Sequence, residues 1–333
     1  MRLAGILRRN LGTPLDLAFW AGCACVTAGV AWAMWPVADL DPDYYPRLRQ
    51  VTNKSQRGPK VLLDDGHWNS GGTARYAPFA RLLAADGYKV SRSTQPVTAS
   101  LLDSTSVFVI ADALGFWGSL QRATNAVGLE GSLRFRMDAF APGEVKALKE
   151  WVERGGGLLL AAGPAPASTA ARSLALTFGV RMTGWHAEDR TRAAIAGKPG
   201  FVEFREGAGL VAHPILTGLP AEGREEPVQR VATFGGQSLA RQEGGAFLEL
   251  GPEAKQFPTV AAETLEGRSA AGMAQGLAFP FGKGRVVVLA DPSMLTAQLV
   301  RSEGQQLRLG INMRDRDNQQ LAVNIVRWLA RLL

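Results

Sequence analysis

Apolar and polar positions fall in blocks along most of this chain, and the blocks predict a succession of strands and helices. The clearest block is Lys60 to Val90, KVLLDDGHWNSGGTARYAPFARLLAADGYKV. Val61, Leu62 and Leu63 form a short apolar run that ends in Asp64 and Asp65. A turn with Gly66, Gly71 and Gly72 follows, then a helical pattern with Phe79, Leu82 and Leu83 on one face, stopped at Gly87. Tyr88-Lys-Val90 begins the next strand, so the block reads as the start of a βαβ unit. Val107 to Ile110 predicts a buried strand ending in Ala111-Asp112. Pro142 to Arg154 predicts a helix with Val145, Leu148, Trp151 and Val152 at helical spacing, opened by Pro142 and closed by Gly155 to Gly157. Leu158 to Ala162 is the next strand and Ala167 to Phe178 the next helix. Arg285 to Leu289 is an apolar strand running into Asp291, and Asn318 to Leu333 a helix with Leu321, Ile325, Trp328, Leu329 and Leu332 on one face.

Two stretches break this rhythm. A polar, Gly-containing stretch from Gly115 to Gly131 suits a flap over the edge of the sheet. Between Val180 and Gly284 short strand-like pieces such as Phe201 to Phe204 and Ala246 to Leu250 alternate with Gly and Pro turns. They predict an antiparallel, β-rich extension over 180–284 of one α/β domain spanning 60–333.

The N-terminal part has a different character. Residues 1–16 carry Arg2, Arg8 and Arg9, and Leu17 to Ala38 is uncharged, with Trp32 and Trp35 near its far end. A helix of that length spans a hydrocarbon core of about 30 Å. The arginines keep residues 1–16 cytoplasmic by the positive-inside rule, so 17–38 is expected as a single-pass anchor in a bacterial cytoplasmic (inner) membrane, with the body extracytoplasmic. The rival is a cleaved signal peptide, for which Ala31-Trp32-Ala33 offers a site. Residues 39–59, with Pro42, Pro46 and Pro59 and no hydrophobic period, are expected as a linker.

Composition narrows the chemistry. The formal charge is +7, of which residues 1–38 supply +2, leaving +5 on the body. The basic residues are scattered, so the charge suits a surface near anionic lipid rather than nucleic acid, which is set aside as a partner. Both cysteines, Cys23 and Cys25, lie in the apolar segment. The body therefore has no disulfide, no thiolate nucleophile and no Cys-based metal site.

In open α/β sheets ligands bind beyond the carboxyl ends of the strands. Asp64, Asp65, His67 and Asn69 fall at such an end. A carboxylate two or three residues from an imidazole suits a base–acid pair, while an Asp there also serves simply as a loop cap. Asp291 stands at another strand end and is the second polar candidate. Catalysis, if present, is assigned to Asp64, His67 and Asp291. A zinc site would need His67 and His213 to converge with Asp291, which three histidines in all make hard to build. No metal or cofactor is expected. Arg75 and Tyr76, at the start of the following helix, and Gln237, in Gly235-Gly236-Gln237-Ser238, complete the ligand-binding candidates, each with a plain structural alternative. Gly282-Lys283-Gly284 lacks the spacing of a phosphate-binding loop.

The segment DDGHWNSGGTARYAPFARLLAADGYKV resembles the opening of bacterial membrane-associated, glutamine-amidotransferase-like proteins of unknown function. EVKALKEWVERGGGLLLAA, HPILTGL, TFGGQSL, GKGRVVVLADPSML and NQQLAVNIVRWLARLL are similar to further pieces in the same order, over roughly 59–333. The resemblance implies a flavodoxin-like, class I amidotransferase-like sheet, and more distantly auxiliary proteins of gliding-motility-type ABC transporters. Such an amidotransferase needs a Cys on a tight turn after a central strand. Here that strand, Leu158 to Ala162, runs into Gly163-Pro164-Ala165-Pro166, with no G-x-S-x-G elbow in place of the Cys. The expected function is a membrane-anchored binding or scaffold module for a protein partner or small-molecule ligand. The alternative is a metal-dependent or carboxylate/His hydrolase acting at Asp64, His67 and Asp291.

Overall fold

The computed structural model describes residues 39–53, 55, 57–116, 119–120, 138–219, 227–258, 266–302 and 305–333. The expected anchor 17–38, and most of the expected flap, lie outside the described residues. Among the described residues no helix is long and apolar enough to cross a membrane.

The apolar runs identified above form a parallel half-sheet. Its strands are β2 (Lys60–Asp64), β3 (Lys89–Ser93), β4 (Val107–Ala111), β5 (Gly157–Ala161) and β14 (Gly284–Leu289). They lie in the order β3-β2-β4-β5-β14, all parallel. Taken by position in the chain this is 2-1-3-4-5, the flavodoxin-like order, whose switch point falls between the first strand and the third.

Alternate residues of these strands enter two separate cores, as a two-residue period requires. Val61, Leu63, Val107, Val109, Leu159 and Val287 face one side, where α2 (Ala77–Ala85) and α8 (Asn318–Leu329) cover them with Phe79, Leu82, Leu83, Leu321, Ile325 and Trp328. Leu62, Phe108, Ile110, Leu158, Leu160 and Val288 face the other, under Leu148, Trp151 and Val152 of α4 (Pro142–Glu153). Covered on both faces, the strands need no polar alternation, and β4 and β5 are buried along their whole length. Full burial of one such side chain is worth about 1.5–3 kcal/mol.

Beyond β14 the sheet continues antiparallel through β13 (Ala274–Phe281), β9 (Gln237–Ala240), β6 (Arg181–Glu188), β11 (Lys255–Phe257) and β12 (Arg268–Ser269), with β10 (Ala246–Glu249) also paired to β13. Eleven strands thus join a parallel half to an antiparallel half. Two smaller sheets flank it: β7 (Glu203–Arg205) with β8 (Arg230–Ala232), and β1 (Asp39–Leu40) with β15 (Ala297–Ser302) and β16 (Gln305–Gly310).

Several local expectations change. Residues 167–178 form two short helices, α5 (Ala167–Ala170) and α6 (Arg172–Thr177), divided at Ala171. Within the expected linker 39–59, several described residues make contacts with the domain. β1 pairs with β15, buried Tyr44 hydrogen-bonds Gln319, and Thr52 donates from its backbone and its hydroxyl to Asp86. These contacts rest on distant polar partners, so no hydrophobic period announces them.

Candidate functional site

Asp64 is the last residue of β2, and its carboxylate organises the loop that follows. Oδ1 accepts the backbone N–H of Gly66 at 3.2 Å and faces His67 Nδ1 at 2.8 Å. Asn69 Nδ2 donates to Asp64 Oδ2 at 3.2 Å and to the Ala111 carbonyl at 3.0 Å, tying β2 to the end of β4. The His67 carbonyl accepts from Leu114 and Gly115, and Ser70 N–H donates to the Asp112 carbonyl. The loops after β2 and β4 therefore interlock at the switch point. Trp68 and Asp112 hold φ values of 53° and 52° there. Such left-handed, non-glycine backbone persists only where its surroundings over-determine it.

His67 is the centre of this knot. Its Nε2 faces Glu144 Oε1 at 3.1 Å, and its ring lies 4.2 Å from that of Phe140. Glu144 sits in the first turn of α4, where its carboxylate also accepts from Val97 N–H and Ala141 N–H, both at 2.8 Å. One buried imidazole thus joins β2, the loop after β3 and the start of α4. Burial alone would push the His67 pKa down, but the hydrogen bonds and charges of Asp64 and Glu144 outweigh it and hold the value above the ordinary 6.5. Both ring nitrogens then donate to carboxylates. A neutral ring would turn a lone pair toward one of them, so the proton is held firmly, which suits an electrostatic tie rather than a general base.

The other candidates disperse. Asp65 pairs with Arg92 at 3.2 Å on the outer side of β2. Asp291 is almost fully buried and caps the 3-10 turn Pro292–Leu295, its carboxylate accepting from the backbone amides of Phe234 and Ser293. Burial raises its pKa, against the lowering effect of those bonds. Neither amide belongs to the His67 knot. Gln237 is fully buried, and its amide donates to the carbonyls of Ala162 and Gly163 and accepts from Gly184 N–H. It braces the end of β5 to β6. Arg75 ends the short helix α1 (Gly72–Arg75) instead of opening the longer one, and Tyr76, buried, lies between α1 and α2. Arg75 is close enough for its charge to act on Asp291. His213 caps α7 (Pro214–Thr217), its Nδ1 accepting from Ile215 N–H, and packs against Trp328. Burial, with the charge of Arg285, lowers its pKa to about 4.

Among the described residues no cluster of three His, Cys, Asp or Glu side chains could hold a metal ion. At the end of β5, where the resemblance calls for a nucleophile, Gly163 has its carbonyl bound by Gln237. Sequence reasoning missed Glu144. The only local signal was a Glu three residues after Ala141, which announces a helix start but not its partner.

A sequence model of the family described as "Domain of unknown function (DUF4350)" matches residues 135–309. The chain belongs to the DUF4350 family. The matched span takes in Glu144, Gly163, Gln237 and Asp291, while Asp64 and His67 precede it. No curated protein matches this DUF4350 chain in sequence. Among solved structures it is similar to the mmIFT52 N-terminal domain, with a TM-score of 0.55 and 14% identity over 81% of this chain and 97% of that one. It is also similar to Cytoplasmic Protein STM1381 from Salmonella typhimurium LT2, with a TM-score of 0.43, 15% identity, and 81% and 99% of the two chains covered. A ThuA-like protein from Parabacteroides merdae follows, with a TM-score of 0.40, 12% identity, and 82% and 90% covered. At these identities the likeness of the first concerns the fold alone.

Proposed function

We propose that this DUF4350 protein is a binding or scaffold module, carried on a class I amidotransferase-like sheet that has lost the amidotransferase chemistry. It is anchored in the cytoplasmic membrane by residues 17–38, with its body on the extracytoplasmic side, and takes a protein partner or a small-molecule ligand. One observation carries the reading. At the switch point, where such a sheet binds its ligand, His67 is locked between Asp64 and Glu144 with both ring nitrogens occupied. The hydrolase alternative would need Asp291 to work with this pair, and its carboxylate is committed to Phe234 and Ser293.

Two measurements test the proposal. The purified chain is assayed for hydrolysis of glutamine and of ester and phosphoester substrates, alongside His67→Gln. No turnover above buffer is expected from either. Turnover that disappears in His67→Gln while the variant stays folded refutes the module. For the anchor, membrane fractionation is expected to return the full-length chain in the pellet, and a soluble product beginning after Ala33 refutes it.

A further inference from the structure

The antiparallel half of the sheet carries a charge arrangement that the switch point does not share. Along β6 the residues Arg181, Thr183 and Trp185 are open to solvent to varying degree, while Met182, Gly184 and His186 are buried. Helix α6 brings Arg172 and Leu176 to the same place. From β12, two strands further out, Arg268 sets its guanidinium 4.5 Å from the centre of the Trp185 ring. Together these side chains line a pocket of about 360 Å³. No Asp or Glu lines it.

Several arginines elsewhere in the domain meet a carboxylate. Arg327 meets Asp86, Arg308 meets Asp41, Arg230 meets Glu203 and Arg92 meets Asp65. Among the described residues Arg172, Arg181 and Arg268 have no carboxylate within ion-pair distance. Three like charges around one pocket repel, and at physiological salt that repulsion is screened out only beyond about 8 Å. An anion seated among them removes that cost. Guanidinium forks match the oxygens of phosphate in geometry and charge. The ring of Trp185 and the side chain of Leu176, 54% exposed, provide an apolar wall beside the charges. Leu176 and Arg181 also border a neighbouring hollow of about 440 Å³, which gives room for a larger organic group.

We infer that this pocket binds an organic phosphate, its oxyanion held by Arg172, Arg181 and Arg268 and its carbon frame laid against Trp185 and Leu176. The phosphate belongs either to a soluble phosphomonoester or to the headgroup of an anionic lipid. The inference stands on this pocket alone and holds whether or not residues 17–38 cross a membrane.

The test uses the full-length chain in detergent micelles, titrated with phenyl phosphate and followed by tryptophan fluorescence and by calorimetry. Saturable binding that weakens with added salt is expected. Arg181→Gln with Arg268→Gln should weaken it by about tenfold or more. Trp185→Phe should remove the fluorescence response while calorimetry still registers heat. Arg314→Gln, in a different basic pocket, should change nothing. Arg181→Lys with Arg268→Lys keeps the charge and should give intermediate binding, which separates lost recognition from lost folding. A second arm uses vesicles of phosphatidylglycerol against vesicles of phosphatidylcholine alone. Arginine-dependent binding to the charged vesicles without phenyl phosphate binding assigns the lipid source, and arginine-dependent binding of phenyl phosphate assigns the soluble one. Binding of neither probe, or binding that the double Gln variant leaves intact, overturns the inference.

Discussion

Glu144→Gln is the most informative single change, because one carboxylate serves three donors. Oε1 faces His67 Nε2 at 3.1 Å and accepts from Val97 N–H, while the other oxygen accepts from Ala141 N–H. The Gln side chain keeps the shape but loses the charge, and its amide nitrogen must face one of these donors. The loss comprises one charge-assisted bond, worth about 1.5–3 kcal/mol, and the backbone bond at the start of α4, worth about 1 kcal/mol. The expected destabilisation is about 2–4 kcal/mol by urea unfolding at pH 6. The pH dependence supplies a second signature. The folded pKa of His67 is raised, so its contribution is fully present below 6.5 and is lost as pH rises through the folded value. In Glu144→Gln that alkaline loss should shrink. The chain has three histidines, so their ring proton resonances can be assigned and titrated one by one. His67 should titrate above its ordinary value in the wild type and lower in the variant. A cost under about 0.5 kcal/mol, or a wild-type His67 that titrates at or below its ordinary value, refutes the account of the knot.

Other outcomes follow from the same geometry. Asp86→Ala strands the fully buried Arg327, whose Nε and terminal nitrogen each lie 2.9 Å from that carboxylate, and should cost about 3–5 kcal/mol in denaturant unfolding. The double variant Asp86→Ala, Arg327→Met should recover much of that loss, and a double variant worse than the single would refute it. His213, held neutral with a pKa near 4, contributes stability that is present above pH 6.5 and lost as pH falls toward 4. The loss is at most about 3 kcal/mol, and it should be absent from acid-unfolding curves of His213→Asn, which keeps a helix-capping side chain. Gly87→Ala puts a methyl 2.1 Å from the Asn53 carbonyl oxygen at a φ of 88°. It should lower stability by about 2 kcal/mol or more and loosen the strap 50–53 in hydrogen exchange.

Periodicity made the parallel half legible, because all of its strands but the edge strand β3, KVSRS, are apolar runs covered on both faces. The expected strand Val107 to Ile110 is Val107–Ala111, and the expected helix Pro142 to Arg154 is Pro142–Glu153. The last helix stops at Leu329, short of the expected Leu333. Pairing across the chain was not legible. Arg327 reads as a surface residue of an amphipathic helix, yet it is buried against Asp86, 241 positions earlier. Glu144 reads as a helix-start residue, and its bond to His67 crosses 77 positions. Local pattern records which face a side chain takes, not which distant partner meets it. The same reason hid the pocket of Arg172, Arg181 and Arg268, three scattered arginines that only the antiparallel strand order gathers.

The two halves of the sheet differ in how their polar groups are spent. A 2-1-3-4-5 parallel sheet opens a crevice at its switch point, and a ligand site there needs unsatisfied donors and acceptors facing outward. In this chain Asp64, His67, Asn69 and Glu144 satisfy one another, so the crevice is closed by its own side chains. Removing one of them would leave a partner's buried charge uncompensated rather than open a pocket. Three arginines with no carboxylate in ion-pair range among the described residues gather around β6 and β12, strands that lie beyond the flavodoxin-like core. If the pocket around β6 and β12 binds the anion proposed for it, specificity resides in the antiparallel half, and variants at the switch point should change stability rather than binding.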